Sequence, residues 1–297
     1  MDWRSEKHNW PNSDISRFAN VAGTNWHVQR IGKGPGILLL HGSGATTHSF
    51  EGLIEELSGS FEILAVDLPG HGFSSRIRGK SATMDNVSDA LSQLLKEEEF
   101  NPALVVGHSA GAAIAVNMVT RKLIEPDGVV SINGAFYPFP GFARQLFPAM
   151  AKIMFLNPFV PKIFALSAGD SGKVRRLIAS TGSKLSPTQI DYYQRAFRSS
   201  KHVEGTLAMM ANWDLERMEG ILKKLDIPLL QIIGAQDGTI NPSLSLKTQE
   251  LVSNSERLLI KQAGHLVHEE IPDTVAKHIV SFFDNVCSQL TKEPCVK

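Results

Sequence analysis

Hydrophobic positions along this chain fall into short unbroken runs separated by longer amphipathic stretches. The runs lie at 36–40 (GILLL), 63–66 (ILAV), 103–106 (ALVV), 128–132 (GVVSI), 228–233 (PLLQII) and 257–260 (RLLI). Each is too short for a helix, and turn residues bound most of them, so they predict strands. Unbroken rather than alternating apolarity predicts strands covered on both faces, as in a mostly parallel sheet. Between them the period changes. Apolar residues recur at 50, 53, 54 and 57, and again at 84, 87, 91, 94 and 95. The stretches 110–123 and 272–283 are also helical in pattern, the latter with Pro272 at a favourable first position. Alternating strand and helix predicts an α/β fold with helices on both faces of the sheet. The rhythm breaks over 135–218, which is rich in Phe, Met and Pro and lacks strand runs. That stretch reads as a helical cap inserted into a core made of 1–134 and 219–297.

Composition narrows the function classes. The 297 residues are 42% hydrophobic and 20% charged, enough for one large domain with its own core. Thirty basic residues balance thirty acidic ones. A neutral chain has no global electrostatic reason to bind nucleic acid, and membrane contact is expected to be peripheral at most. The two cysteines, Cys287 and Cys295, cannot build a disulfide framework and are expected to be free thiols. The polar start MDWRSEKHNWPNSD does not look like a signal peptide, and no apolar run is long enough to span a bilayer. A cytoplasmic location is the expectation.

The chemistry is concentrated at strand ends. Gly107-His108-Ser109-Ala110-Gly111 is a G-x-S-x-G between a strand run and a helix run. A serine on such a turn is held in a strained backbone conformation with its hydroxyl raised above the sheet. The competing reading is a glycine-rich turn without chemistry, and the flanking strand and helix weigh against it. A serine nucleophile needs a base and an orienting acid. His265 follows the last strand run, and Asp237 follows the run at 228–233. The order Ser109, Asp237, His265 is that of an α/β-hydrolase. The backbone N–H groups of Ser43, in His41-Gly42-Ser43-Gly44, and of Ala110 are the expected oxyanion donors. The loop from Asp67 to Ser74 (DLPGHGFS) is expected to brace the rim without taking part in catalysis. His48, Met210 and Trp213 are candidates for lining a substrate pocket. His265 and His268 are three apart with Glu269 outside them, unlike a zinc-protease motif, so no catalytic metal and no cofactor are expected.

Over nearly the whole chain, HGSG, DLPGHGFS, GHSAG, GAQD and the late GH resemble the α/β-hydrolase superfamily. The segments WPNSDISRF, WHVQRIGKGP, HGSGATTHSF, GHSAGAAIA, FLNPFVPKIFA, VRRLIASTGS and LAMMANWDLE look like the magnesium-chelatase accessory proteins of bacteriochlorophyll biosynthesis. That resemblance implies a photosynthetic, tetrapyrrole context, with an apolar small molecule as substrate and magnesium chelatase as a candidate partner. The cap aromatics and methionines fit this loosely: Phe136, Phe139, Phe142, Phe147, Met150, Met154, Phe155, Phe159, Phe164 and Met209 join Met210 and Trp213. A cap's own core accounts for most of them. Arg175 and Arg176 could pair with a propionate. Serine rather than aspartate at the turn argues against epoxide-hydrolase or dehalogenase chemistry. Two function classes stay open. One is a serine hydrolase of a carboxylic ester, or of a carbon–carbon bond beside a ketone; the other is a non-catalytic tetrapyrrole-binding or chelatase-assisting protein.

Overall fold

The computed structural model describes residues 1–138, 157 and 159–290. Among them, eight strands form one sheet: β1 (Ser16–Val21), β2 (Thr24–Ile31), β3 (Gly36–Leu40), β4 (Glu62–Val66), β5 (Pro102–His108), β6 (Gly128–Ile132), β7 (Leu229–Gly234) and β8 (Ser255–Ile260). The spatial order is β1-β2-β4-β3-β5-β6-β7-β8. β1 and β2 run antiparallel to their neighbours, and β3 to β8 are parallel. The helices are α1 (Trp3–Glu6), α2 (Glu51–Leu57), α3 (Met84–Glu97), α4 (Ala110–Thr120), α5 (Val160–Ser167), α6 (Ser171–Ser180), α7 (Pro187–Arg198), α8 (Ser200–Asn212), α9 (Met218–Leu222), α10 (Leu244–Leu251), α11 (Val267–Glu270) and α12 (Pro272–Leu290).

The unbroken apolar runs have a two-faced explanation. Side chains alternate across a strand. Leu38, Leu40, Leu64 and Val66 therefore enter one core cluster with residues of α3, α4 and α9. Ile37, Leu39, Ile63 and Ala65 enter the other with α2 and α12. Both faces are covered, so β3 and β4 are apolar throughout except at Glu62, the partly exposed first residue of β4. The sequence runs fall on β3 to β8 with end shifts of one or two residues.

β1 and β2 are absent from the sequence expectation. Their burial is mixed, and they pair around a two-residue turn at Ala22 and Gly23, both at positive φ. That is the hairpin geometry matching strand twist. β1 lies at the sheet edge and is partly exposed, while β2 is interior but carries buried polar residues such as His27 and Gln29, so both lack the apolar density that marks the central strands. Their charges are paired across the edge: Arg17 with Glu98, and Arg30 with Glu62 at 2.6 Å.

Between β6 and β7 the described residues form helices α5 to α9 and no strand. A separate cluster of Ala168, Val174, Ile178, Ile190 and Tyr193 joins α6, α7 and the end of α5, while Met209, Met218 and Leu222 of α8 and α9 pack in the main core. The separate cluster also includes Ala45 and Leu266, from the core loops beside the Gly42–Gly44 turn and His265. Burying a Leu side chain contributes roughly 1.5–3 kcal/mol, so this packing couples the excursion to both loops. Phe136 packs in the main core and Met209 is buried there too, whereas Phe159 and Phe164 are exposed. Phe139, Phe142, Phe147, Met150, Met154, Phe155 and Cys295 lie outside the described residues. Cys287, on α12, is partly buried. No described helix is long and apolar enough to cross a membrane.

Candidate active site

The C-terminal ends of β3, β5, β7 and β8 converge on one side of the sheet. After β5 the backbone turns sharply into α4 at Ser109, which has φ 50° and ψ −113°. A left-handed φ on a residue with a Cβ is strained and costs on the order of 1–3 kcal/mol. The surroundings enforce it. The Ser109 N–H donates to the Ile132 carbonyl at 2.9 Å, and its own carbonyl accepts from the N–H groups of Ala112 (3.2 Å) and Ala135 (3.0 Å). A Cβ at Gly107 would overlap Ala112, and one at Gly111 would overlap the Leu40 carbonyl oxygen. The motif glycines thus let α4 start directly beside β3, with Ser109 partly exposed at its N-terminus.

The β3 loop arrives next to this turn. A Cβ at Gly42 would sit 3.1 Å from the Ser109 Cβ. His41 fixes the loop: its Nδ1–H donates to the Gly42 carbonyl (2.8 Å) and its Nε2 accepts from the Leu68 N–H (2.9 Å). Among the described residues, the N–H groups of Ser43 and Ala110 find no protein acceptor. Two free backbone donors beside a strained serine form an arrangement that can hold an oxyanion.

Asp237 and His265 meet across the β7 and β8 loops. The His265 Nδ1–H donates to Asp237 Oδ2 at 2.7 Å, with both side chains buried. The other carboxylate oxygen accepts the N–H groups of Thr239 (2.7 Å) and Ile240 (2.8 Å). That pins the acid, fixes the tautomer of His265, and leaves Nε2 as the free basic nitrogen. No hydrogen bond joins Ser109 Oγ to His265 among the described residues; such bonds are often loose without substrate and tighten in the reacting complex.

Two supporting features escaped the sequence reading. Asn133, at φ 44° just past β6, donates to the carbonyls of Gly264 (3.0 Å) and His265 (2.8 Å) and accepts the Gly234 N–H (2.9 Å). It ties β6, β7 and the base loop together. The His265 carbonyl also accepts from His108 Nε2–H at 3.0 Å. The second feature is a buried polar cluster. Ser49 Oγ donates to Glu269 Oε1 (2.7 Å) and accepts from His268 Nε2–H (2.8 Å), while Tyr193 of α7 donates to the same Oε1 (2.6 Å). Burial pushes Glu269 up to about 8 and His268 down to about 3. At neutral pH both are therefore uncharged, and their 3.9 Å approach is not an ion pair. The signal was present as HLVHEE, but only long-range contact gives it meaning.

The rim behaves as expected of a structural brace. Asp67 is fully buried and accepts from Thr47 N–H (2.8 Å), His27 Nδ1–H (2.9 Å) and Phe73 N–H (2.9 Å). Burial pushes its carboxyl up, yet the His27 ring and the other donors outweigh this and hold it well below the carboxylate range. From α8, His202 accepts the Gly72 N–H (3.0 Å) and donates to the Gly44 carbonyl (3.1 Å), fixing the loop beside Ser43.

The pocket candidates fare differently from the catalytic ones. His48 is sealed in the seam between core and cap: it bonds Thr46 Oγ1 at 2.6 Å, lies edge-on to Tyr193, and burial lowers it to about 3. Among the described residues it is covered by Thr46 and Tyr193 rather than exposed. Trp213 packs against the main core cluster, and Met210 is partly exposed near the end of α8. Arg175 and Arg176 are exposed. A cavity of about 20 Å³ beside Asn133, Gly134, Phe136 and Ile240 has room for water, not for a macrocycle. Among the described residues, no group of His, Cys, Asp or Glu is arranged to hold a metal ion.

Comparison with known proteins bears on the fold. A family model described as alpha/beta hydrolase fold matches residues 35–272. A magnesium-chelatase 30 kDa subunit of Rhodobacter capsulatus is 31% identical over 96% of this chain and 100% of its own. A pimeloyl-[acyl-carrier protein] methyl ester esterase of Vibrio vulnificus is 26% identical over 87% of this chain and 98% of its own. Among solved structures, an alpha/beta hydrolase fold protein from Burkholderia ambifaria superposes with a TM-score of 0.76 at 18% identity, covering 90% of this chain and 98% of that one.

Proposed function

The chain belongs to the α/β-hydrolase fold family, and from that premise we propose that it is a serine hydrolase of a carboxylic ester or related carbonyl compound. The observation that carries this reading is the buried His265–Asp237 hydrogen bond of 2.7 Å, formed at the same end of the sheet as the strained Ser109 turn. Ser109 Oγ attacks the substrate carbonyl carbon while His265 Nε2 takes the hydroxyl proton. Asp237 holds the ring and stabilises the imidazolium. The N–H groups of Ser43 and Ala110 receive the oxyanion, each worth on the order of 3 kcal/mol in such sites. His265 then protonates the leaving group. Water, activated by the same nitrogen, attacks the acyl carbon, and the carboxylic acid departs as Ser109 regains its proton.

The natural substrate is an apolar small molecule. The similarity to a chelatase subunit over 96% of this chain supports screening tetrapyrrole esters of (bacterio)chlorophyll synthesis first. The same similarity favours a second reading, a non-catalytic partner of magnesium chelatase that binds pigment. The test is labelling with a fluorophosphonate probe, read by intact mass. An adduct on the wild type and none on Ser109→Ala is the expected result. No adduct on the folded wild type, or an adduct that survives in Ser109→Ala, overturns the hydrolase reading. In the second reading, pigment binding or chelatase stimulation persists undiminished in Ser109→Ala.

A further inference from the structure

The base loop is held from the core by Asn133 and His108, and from the excursion between β6 and β7 by a second set of bonds. Three consecutive backbone donors flank and include the base, and each ends on the short segment that follows α6 or on a side chain shared with it. The Gly264 N–H donates to Glu270 Oε1 (2.8 Å), and Glu270 Oε2 accepts the Lys184 N–H (3.1 Å). The His265 N–H donates to the Thr181 carbonyl (3.1 Å). The Leu266 N–H donates to Ser183 Oγ (2.8 Å). The acid loop meets the same segment, because the Gly238 N–H also donates to the Thr181 carbonyl at 3.0 Å. Gly182, at φ 80°, lies flat between the two loops: a Cβ on it would overlap the Gln236 carbonyl oxygen, and one on Gly264 would overlap Gly182. Ser183 and Leu266 are both buried.

We propose that residues 181–184 are a positioning strap, by which the cap sets the distance and angle between the acid and base loops. This rests on the assignment of His265 as the base. An ordinary lid touches a completed site from outside. Here the Thr181 carbonyl is a common acceptor for the amides of Gly238 and His265, one on each side of the 2.7 Å acid–base contact. Any cap movement that lifts the strap removes a shared acceptor from both loops at once. The α6–α7 end of the cap is accordingly an anchor. Strap and base form one body, and Ser183 acts through His265 rather than on the substrate.

The experiment compares the wild type with Ser183→Ala, Ser183→Thr and Glu270→Gln. Three quantities are read: the rate of fluorophosphonate labelling across pH, the ¹⁵N shifts of the His265 ring, and the melting temperature. A loosened base is expected to label on the order of tenfold more slowly or worse, since small misplacements of reacting groups are costly. The pH profile of labelling should differ from that of the wild type. The Nδ1 shift should report a weaker bond to Asp237. Ser183→Thr, which keeps the hydroxyl, should restore all three. Wild-type rate, midpoint and ring shifts in Ser183→Ala overturn the proposal, as does slowing that tracks melting temperature alone with unmoved ring shifts. If Ser183→Ala does not fold, the partly exposed Glu270→Gln decides by the same criteria. If the wild type itself is inert to the probe, the hydrolase reading fails, and the ring shifts still judge the strap.

Discussion

Glu269 offers the sharpest energetic test, because its side chain is buried and is bonded by both the core and the cap. Oε1 accepts two hydroxyl hydrogen bonds, while Oε2 is buried without a partner. Burial is the largest influence, and it pushes the carboxyl from 4.5 to about 8 despite the two donors. The folded chain therefore holds a proton that the unfolded chain releases near pH 4.5. The associated stability is fully present below that pH and is lost as the pH climbs through 8. At about 1.36 kcal/mol per tenfold change in proton affinity, the loss has a ceiling on the order of 5 kcal/mol. In Glu269→Gln the titration is gone. The three histidines lowered by burial to about 3, His48, His202 and His268, destabilise the fold as pH falls below 6.5. They are present in both proteins, so they largely cancel in the difference. Urea unfolding from about pH 5 to about pH 9 should show the wild type losing a few kcal/mol relative to the variant. In thermal scans this corresponds to ~2 °C per kcal/mol for a chain of this size. A difference that stays flat across the range refutes the reasoning, because Glu269 would then titrate alike in both states.

Two further substitutions test the site's geometry. Asp237→Asn keeps the shape but not the charge beside His265. It should reduce turnover, or labelling of Ser109, by on the order of 10³–10⁴ with the fold intact; loss below tenfold would remove Asp237 from the triad. Gly111→Ala gains up to about 1 kcal/mol of helix propensity but drives a Cβ into the Leu40 carbonyl oxygen. The clash should win, with a net loss of roughly 2 kcal/mol or more by urea unfolding. A stability equal to wild type would mean that α4 can retreat from β3.

The sequence alone determined what local patterning controls. Runs such as 36–40 and 103–106 must be covered on both faces, so they specify the central parallel strands without reference to distant residues. The Ser109 turn was legible for the same reason: strand, Gly-x-Ser-x-Gly and helix are contiguous, and the glycines are needed within that short stretch. Asp237 and His265 were legible through their order after the last strands.

Tertiary structure decided the remainder. β1 has no fully buried position and β2 buries polar residues such as His27 and Gln29, so their identity as strands rests on pairing rather than on apolar density. Asn133 reaches a carbonyl 132 positions away, and Tyr193 reaches Glu269 across 76 positions. No periodicity encodes such distances. The chemistry of His48 is visible in the sequence, and its burial is not. The protonation of Glu269 and the role of residues 181–184 follow from desolvation and from carbonyls shared between loops. Both come into existence only when the chain has closed on itself, because removing water and matching donors to acceptors are properties of packed neighbours, not of residue order.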